Sequence, residues 1–279
     1  MALAFACLSA LCFGTALVTA KIGLRGVDAR SGAAISIPVA TLLFLAASPF
    51  ALSLQGFSVA AGALFAAVGV FFPALVTLLT FQSNDRLGPS VTSSISSTAP
   101  LFALAAAAVF LDEKIPARAL LACCGVVAGV VLLSWRGAGR AFPGRSLWLP
   151  VAGAMLRGAA QVLAKAALLL WPNPFAASLI GYVVSSGTVI ALRRGNEPRP
   201  RTALLAFVAT GALNGAAVLL MYAALNRAPV SSVAPIVAAY PVLTALLGPL
   251  VLREERPSAR VLAGAVLIAA AIAFLVSGT

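Results

Sequence analysis

The chain has 279 residues, of which 62% are apolar and 9% charged, and its mean hydropathy is +1.06. A soluble domain carries roughly 25% charged residues, so a soluble enzyme and a nucleic-acid-binding domain are both excluded. The net charge of +12 is interpreted as a signal of membrane orientation. Histidine is absent, and the four cysteines have neither metal-ligand nor disulfide spacing. We therefore expect no metal site, no cofactor and no nucleic-acid partner.

Long apolar stretches follow one another along the whole chain. A helix that crosses the bilayer needs roughly 20 apolar residues, and ten stretches meet this length. The first could be mistaken for a signal peptide ending near Ala20, but no basic segment precedes it, so we predict a retained helix. The ten predicted spans are 2–20, 32–52, 58–81, 90–111, 117–135, 147–170, 174–192, 202–225, 230–252 and 258–277.

The distribution of Lys and Arg predicts the orientation of these spans. The loops after spans 1, 3, 5, 7 and 9 hold 14 of these residues, and the opposite loops hold 3. Cytoplasmic loops carry the excess of positive charge, so we place the odd-numbered loops in the cytoplasm. The sequence thus predicts a multi-pass protein of a bacterial-type plasma (inner) membrane, with both termini outside.

The two halves of the chain repeat each other. A separation of 144 relates Gly14 to Gly158 and Lys21 to Lys165. Each half holds five spans, an odd number, so the second copy is predicted to lie inverted relative to the first. We assign residues 1–135 to the first unit, 136–146 to a cytoplasmic linker and 147–279 to the second unit. A separation of 141 relates six further pairs, which are Arg86 and Arg227, Ser90 and Ser231, Pro100 and Pro241, Leu111 and Leu252, Glu113 and Glu254, and Pro116 and Pro257.

Short motifs in both halves resemble the EamA repeat of the drug/metabolite transporter superfamily. The first copy has Ser97–Leu101 and Phe110–Lys114, followed by a span containing Gly125 and Gly129. The resemblance implies ten transmembrane helices, a central cavity lined by spans 1, 3, 4, 6, 8 and 9, and export of small metabolites such as amino acids. With three tyrosines and three tryptophans in the chain, an aromatic-rich cavity is not expected. The second copy has Ala239–Val242, Leu252–Glu255 and Gly264.

Arg157 is the most informative polar residue because it lies about ten residues into span 6, roughly 15 Å deep at 1.5 Å per residue. An arginine at the bilayer centre costs on the order of 2.5–3.5 kcal/mol, so its side chain is expected to face a cavity or the protein interior. We hypothesise that it binds a carboxylate or phosphate of the substrate. The alternative is that it caps carbonyls of a broken helix, or that the span is misplaced by one turn. Gln161, one turn later, is a second candidate for substrate binding.

Four of the prolines inside predicted spans are candidates for helix kinks beside the cavity. A proline ring blocks the hydrogen bond to the carbonyl four residues earlier, and freed carbonyls at membrane depth need protein or water partners. Helix kinks beside the cavity are therefore predicted at Pro73, Pro100, Pro235 and Pro241. The alternative is that proline is simply commoner in membrane helices.

Other polar residues are candidates for the cavity lining. Ser93 and Ser97 share one face of span 4, although their hydroxyls could equally bond to their own helix. Asn214 and Tyr240 are the polar residues nearest the midplane in spans 8 and 9. The remaining tyrosines, Tyr182 and Tyr222, are interpreted as aromatic residues at the membrane interface.

The fold class predicted is an all-α integral membrane protein, with ten transmembrane helices forming two inverted five-helix repeats around a central cavity. We expect a secondary transporter that works by alternating access, by uniport or exchange, because no intramembrane carboxylate or histidine is available to carry protons. The alternatives are an intramembrane enzyme and a non-transporting membrane scaffold. The expected partners are a small-molecule substrate and the lipid bilayer, with the chain as a monomer or weak dimer.

Overall fold

The computed structural model describes residues 1–134, 146–192, 200–252 and 259–277, and regular structure within them is helical. The predicted linker lies almost entirely outside these residues. Twelve helices are present in the described part: α1 (Ala2–Gly23), α2 (Ala29–Ala51), α3 (Val59–Phe71), α4 (Ala74–Ser96), α5 (Ala99–Phe110), α6 (Ala117–Ser134), α7 (Trp148–Leu170), α8 (Pro174–Ala191), α9 (Arg201–Leu225), α10 (Val230–Val237), α11 (Tyr240–Leu252) and α12 (Ala259–Val276).

These helices lie at the positions of the predicted spans, but some spans contain more than one helix. Spans 3, 4 and 9 each extend over two helices. Within the described residues, six helical segments are long and apolar enough to cross a membrane, and four other apolar helices are shorter. The protein is therefore a multi-pass membrane protein, and the number of ten crossings stays a prediction. The six longer segments are Ala2–Gly23, Ala29–Ala51, Val59–Leu87, Trp148–Leu170, Pro174–Ala191 and Arg201–Leu225.

The chain reverses within α4. The side-chain oxygens of Ser83 and Thr92 are 2.6 Å apart. Nine residues rise about 13.5 Å along a straight helix, so this contact requires the backbone to fold back between them. The first part of α4 therefore completes span 3, and its last residues begin span 4.

Helix breaks occur at matching places in the two units. The described helices are interrupted at residues 97–98, between α4 and α5, and at residues 238–239, between α10 and α11. These breaks are separated by 141 positions, as in the sequence repeat. Pro100 and Pro241 each lie in the first turn of the helix that follows the break, where a proline costs no helical hydrogen bond. Pro235 lies inside α10.

Helices that are equivalent in the two units run antiparallel where they meet. A methyl group added to Gly125 of α6 would lie 2.9 Å from the Cβ atom of Ala271 in α12, and one added to Gly129 would lie 2.9 Å from the carbonyl oxygen of Gly264. Residue numbers rise along α6 as they fall along α12, as expected for inverted copies. The GxxxG face of α6 is thus used for packing within the chain.

A second pair of contacts shows the same symmetry. A methyl group added to Gly14 of α1 would lie 2.8 Å from the carbonyl oxygen of Tyr240, and one added to Gly158 of α7 would lie 3.0 Å from the carbonyl oxygen of Ala99. The two glycines are 144 positions apart and the two carbonyls 141 apart. Each glycine thus allows the first helix of one unit to pack directly against the helix after the break in the other unit.

Candidate binding cavity

A cavity of about 540 Å³, counted to its mouth, lies where α1 meets α4, α7, α8, α9 and α11. None of the described residues that line it is acidic. The lining residues are Phe13, Ala16, Leu17, Ala20, Phe72, Pro73, Val76, Thr77, Thr80, Phe81, Arg157, Tyr182, Asn214, Val218 and Tyr240.

Arg157 lies on the wall of this cavity, at the tenth of the 23 positions of α7. Its Cζ atom is 5.8 Å from the ring centroid of Phe13 and 5.7 Å from that of Tyr240. Both rings present their π-systems to the cation, which stabilises it without neutralising its charge. The Nε atom is buried and has no hydrogen-bond partner among the described residues. The guanidinium therefore keeps both positive charge and an unused hydrogen-bond donor beside the cavity.

Arg157 contacts the residue that is its equivalent in the other unit. Its equivalent in the first unit, 144 positions earlier, is Phe13. The structure brings these two equivalent residues into contact. Equivalent positions touch only near the axis that relates the two units, so the guanidinium lies close to the pseudo-two-fold axis, where an inverted-repeat protein would place a substrate.

The structure brings four of the predicted site residues to the cavity, namely Arg157, Asn214, Tyr240 and Pro73. Ser97, Gln161, Pro100, Pro235 and Pro241 are all buried but are not among the lining residues. The Oε1 atom of Gln161 is buried without a hydrogen-bond partner in the described part of the chain. The side chain of Ser93 lies outside the described residues.

Several lining residues were not predicted. Tyr182 was expected at the membrane interface, but its side chain is 1% exposed and lines the cavity. Tyr222 is 3% exposed, so it too is interior. Tyr182 was misplaced because it is the ninth of the 18 residues of α8 and not near a helix end. Tyr222 does lie near the end of α9, but its side chain is buried in the protein.

The expectation of few aromatic residues in the cavity was also wrong. It rested on the small numbers of tyrosine and tryptophan, whereas phenylalanine, with 15 copies in the chain, supplies most of the rings. The aromatic lining residues are Phe13, Phe72, Phe81, Tyr182 and Tyr240.

The cavity extends from Arg157 toward one end of the molecule. Along α1 its lining runs from Phe13 to Ala20, next to Lys21, and along α4 it runs from Val76 to Phe81. These are the ends of spans 1 and 3 that the charge distribution places on the cytoplasmic side.

At the opposite end, Glu113 joins the two units. Its carboxylate accepts hydrogen bonds from the backbone N–H groups of Val230 (3.0 Å) and Ser231 (2.9 Å), and from the hydroxyl of Ser231. These donors form the N-terminus of α10, where a negative charge is favoured by the helix dipole. Glu113 follows α5 of the first unit, so the contact closes the predicted outer end between the two units.

Lys165 supports the same end of the molecule. Its ammonium group donates to the carbonyl oxygens of Leu225 (2.7 Å), the last residue of α9, and of Ala228 (3.2 Å), which follows it. A cation at a helix C-terminus satisfies carbonyls that have no helical partner. Lys165 therefore holds α7 to the end of α9 and does not point into the cavity.

The comparisons with known proteins agree with this architecture. The EamA-like transporter family matches residues 1–135 and 145–277, which confirms the resemblance seen in the sequence motifs. A solved crystal structure of a protein has a TM-score of 0.80 to this chain at 18% identity, covering 98% of this chain and 95% of the other. At this identity the likeness shows the fold alone. No curated protein matches this sequence.

Proposed function

Because the chain belongs to the EamA-like transporter family, we propose that it is a secondary transporter that exports small metabolites carrying a carboxylate, amino acids among them. The observation that carries this proposal is Arg157, a cation on the wall of the cavity with an unpartnered Nε donor. Hydrogen bonds from an ionised donor to a carboxylate are among the strongest in proteins. The aromatic and aliphatic walls would hold the apolar part of the substrate.

Access to this site is proposed to alternate between the two sides of a bacterial-type inner membrane. The cavity extends toward the predicted cytoplasmic end, while the contact of Glu113 with the N-terminus of α10 closes the other end. Substrate would enter from the cytoplasm in this arrangement. Rocking of one inverted unit against the other would then break the Glu113 contact and open the outer end.

We further propose that transport is uniport or exchange. Coupling to protons within the membrane commonly uses Asp, Glu or His chains, and none of these residue types lines the described cavity. If transport is uniport or exchange, then abolishing the pH gradient across proteoliposomes leaves uptake of a carboxylate substrate unchanged. Loss of uptake in that experiment would contradict this part of the proposal.

The main test compares carboxylates with amines in proteoliposomes. Counterflow of radiolabelled acids, amino acids and amines is measured for the wild type and for Arg157→Gln. A hydrogen bond to a charged group contributes about 1.5–3 kcal/mol, so we expect Arg157→Gln to lower carboxylate exchange by roughly 10- to 100-fold. Amines are not expected to exchange in either protein.

Arg227 offers a matched control. It also contacts an aromatic ring, with its Cζ atom 5.0 Å from the ring centroid of Phe5, and donates to the carbonyl of Ala223 near the end of α9. It does not line the cavity. Arg227→Gln is therefore expected to keep carboxylate exchange. Full carboxylate exchange by Arg157→Gln, or no exchange of any compound by the wild type, would overturn the proposed function and leave an enzyme or a scaffold to be considered.

A further inference from the structure

Tyr182 has a hydroxyl group that the protein itself leaves unused. The side chain is 1% exposed and lines the cavity, and the hydroxyl oxygen is buried without a hydrogen-bond partner among the described residues. Buried phenols in proteins usually have a partner, because an unsatisfied polar group costs about 1–3 kcal/mol. An acceptor on a bound ligand would remove this cost.

Contacts with α2 hold both the ring and the backbone of Tyr182. Its centroid is 5.4 Å from that of Phe44 in α2. The backbone carbonyl of the same residue accepts a hydrogen bond of 2.9 Å from the hydroxyl of Thr41, which also lies 2.7 Å from the Oγ atom of Ser186. Thus α8 is fixed against α2 at Tyr182 and one turn later, at Ser186. A hydroxyl on a fixed ring is suited to select a ligand, since little side-chain entropy is lost when the hydrogen bond forms.

The charge of the cavity lining favours oxygen acceptors over an ammonium group. Arg157 has donors only, and the hydroxyl of Thr80 already donates to the carbonyl of Val76 at 2.7 Å. An ammonium group is bound most strongly by a carboxylate, and none of the described lining residues is acidic. Of the five aromatic rings in the lining, those of Phe13 and Tyr240 already face Arg157. A second cation here would also be repelled by the guanidinium.

We propose that the cavity selects 2-oxo and 2-hydroxy acids over the amino acids of the same carbon skeleton, with the Tyr182 hydroxyl donating to the second oxygen. This inference rests on the proposed function, in which Arg157 holds the carboxylate. It narrows that function from carboxylates in general to acids with an additional oxygen. Tyr182 is then a specificity-determining residue contributed by α8.

The test uses acids that differ only at the second carbon. Binding to the purified full-length protein is measured by calorimetry for propionate, lactate, pyruvate and alanine, and for the four acids with the 4-methylpentanoate skeleton. In the wild type, the oxo and hydroxy acids should bind more tightly than the unsubstituted acid and the amino acid. A neutral hydrogen bond contributes about 0.5–1.5 kcal/mol, so Tyr182→Phe should weaken oxo and hydroxy acid binding about 3- to 10-fold. Binding of the unsubstituted acids should be unchanged.

Tyr222→Phe is the matched control, because Tyr222 is 3% exposed in α9 but does not line the cavity. It should leave the preference intact. The thermal midpoint of ligand-free Tyr182→Phe should equal or exceed that of the wild type, because the lost hydroxyl has no partner there. A purely structural role of Tyr182 would lower this midpoint instead.

The outcomes separate this inference from the proposed function. Arg157-dependent binding of all carboxylates without preference, or a preference that Tyr182→Phe leaves unchanged, would overturn the inference alone. Binding of none of the eight acids would overturn both.

Discussion

At the scale of single residues, close packing between the units depends on glycine. Gly14 and Gly158 occupy equivalent places, and each lies against a backbone carbonyl of the other unit. Glycine in a helix is usually unfavourable by about 1 kcal/mol relative to alanine. Its presence at both places therefore reflects the space available and not helix propensity.

Replacing Gly158 with alanine should destabilise the protein. The new methyl group would lie 2.9 Å from the backbone nitrogen of Ala103 and from the Cβ atom of Phe102, and overpacking of this kind costs about 1–3 kcal/mol. We expect a lower midpoint of thermal unfolding in detergent. Gly187→Ala in α8 is the control, because a methyl group there meets nothing within 4 Å, and its midpoint should rise or stay the same. Equal shifts in the two variants would contradict close packing at Gly158.

The sequence was informative about some cavity residues and misleading about others. Arg157 could be predicted because a buried charge is costly wherever it points, so depth alone identifies it as unusual. Asn214 and Tyr240 were found by the same reasoning. Tyr182 was missed because whether a tyrosine faces lipid or protein depends on which helix packs against it. That information lies in the contacts of α8 with α2.

At the scale of helices, the two breaks and the Glu113 contact define how the units meet. Each break ends one helix and starts another with proline in its first turn. The prolines were predicted from the sequence as kinks, but whether a proline bends a helix or ends it depends on the packing of the neighbouring helices. Pro73 and Asn214 are equivalent positions of the two units. The helix of span 3 is interrupted at Pro73, whereas α9 continues through Asn214, because asparagine has the backbone N–H that a helical hydrogen bond needs.

Glu113 is adjacent to Lys114 in the chain, and its carboxylate binds the N-terminus of α10. Glu113→Gln keeps an acceptor and removes the charge, so the helix end loses a charged partner. Hydrogen bonds to charged groups contribute about 1.5–3 kcal/mol, and we expect the thermal midpoint to fall by several degrees.

The matched variant for this prediction is Lys114→Gln. Its side chain is exposed beside Glu113, and it should leave the midpoint unchanged. A similar fall of the thermal midpoint in both variants would indicate that the loop is stabilised by a pair between Glu113 and Lys114, and not by the hydrogen bonds of Glu113 to the N-terminus of α10.

At the scale of the whole molecule, hydropathy located the helical segments, and the repeat predicted that the units are inverted. The antiparallel contact of α6 with α12 agrees with this inversion. The division of the spans into helices could not be predicted from hydropathy, because hydropathy does not detect a break within a continuous apolar run. Spans 3, 4 and 9 each extend over two helices.

The orientation in the membrane can be tested with reporter fusions. With the odd-numbered loops in the cytoplasm, alkaline phosphatase fused after Thr279 should be active and green fluorescent protein at the same place should be dark. Fusions after Arg140, in the predicted linker, should give the opposite result. Fluorescence of the C-terminal fusion would reverse the assigned topology.

The contact between Arg157 and Phe13 also constrains how such a site could have originated. In a dimer of two identical five-helix chains, an arginine at this position would meet its own copy across the axis, and two like charges at this distance in a low-dielectric interior repel strongly. A single cation here requires that the partner position carry a different side chain. The guanidinium therefore requires two copies that can differ in sequence, as the two units of this chain do at Arg157 and Phe13, so the arginine is younger than the paired architecture around it.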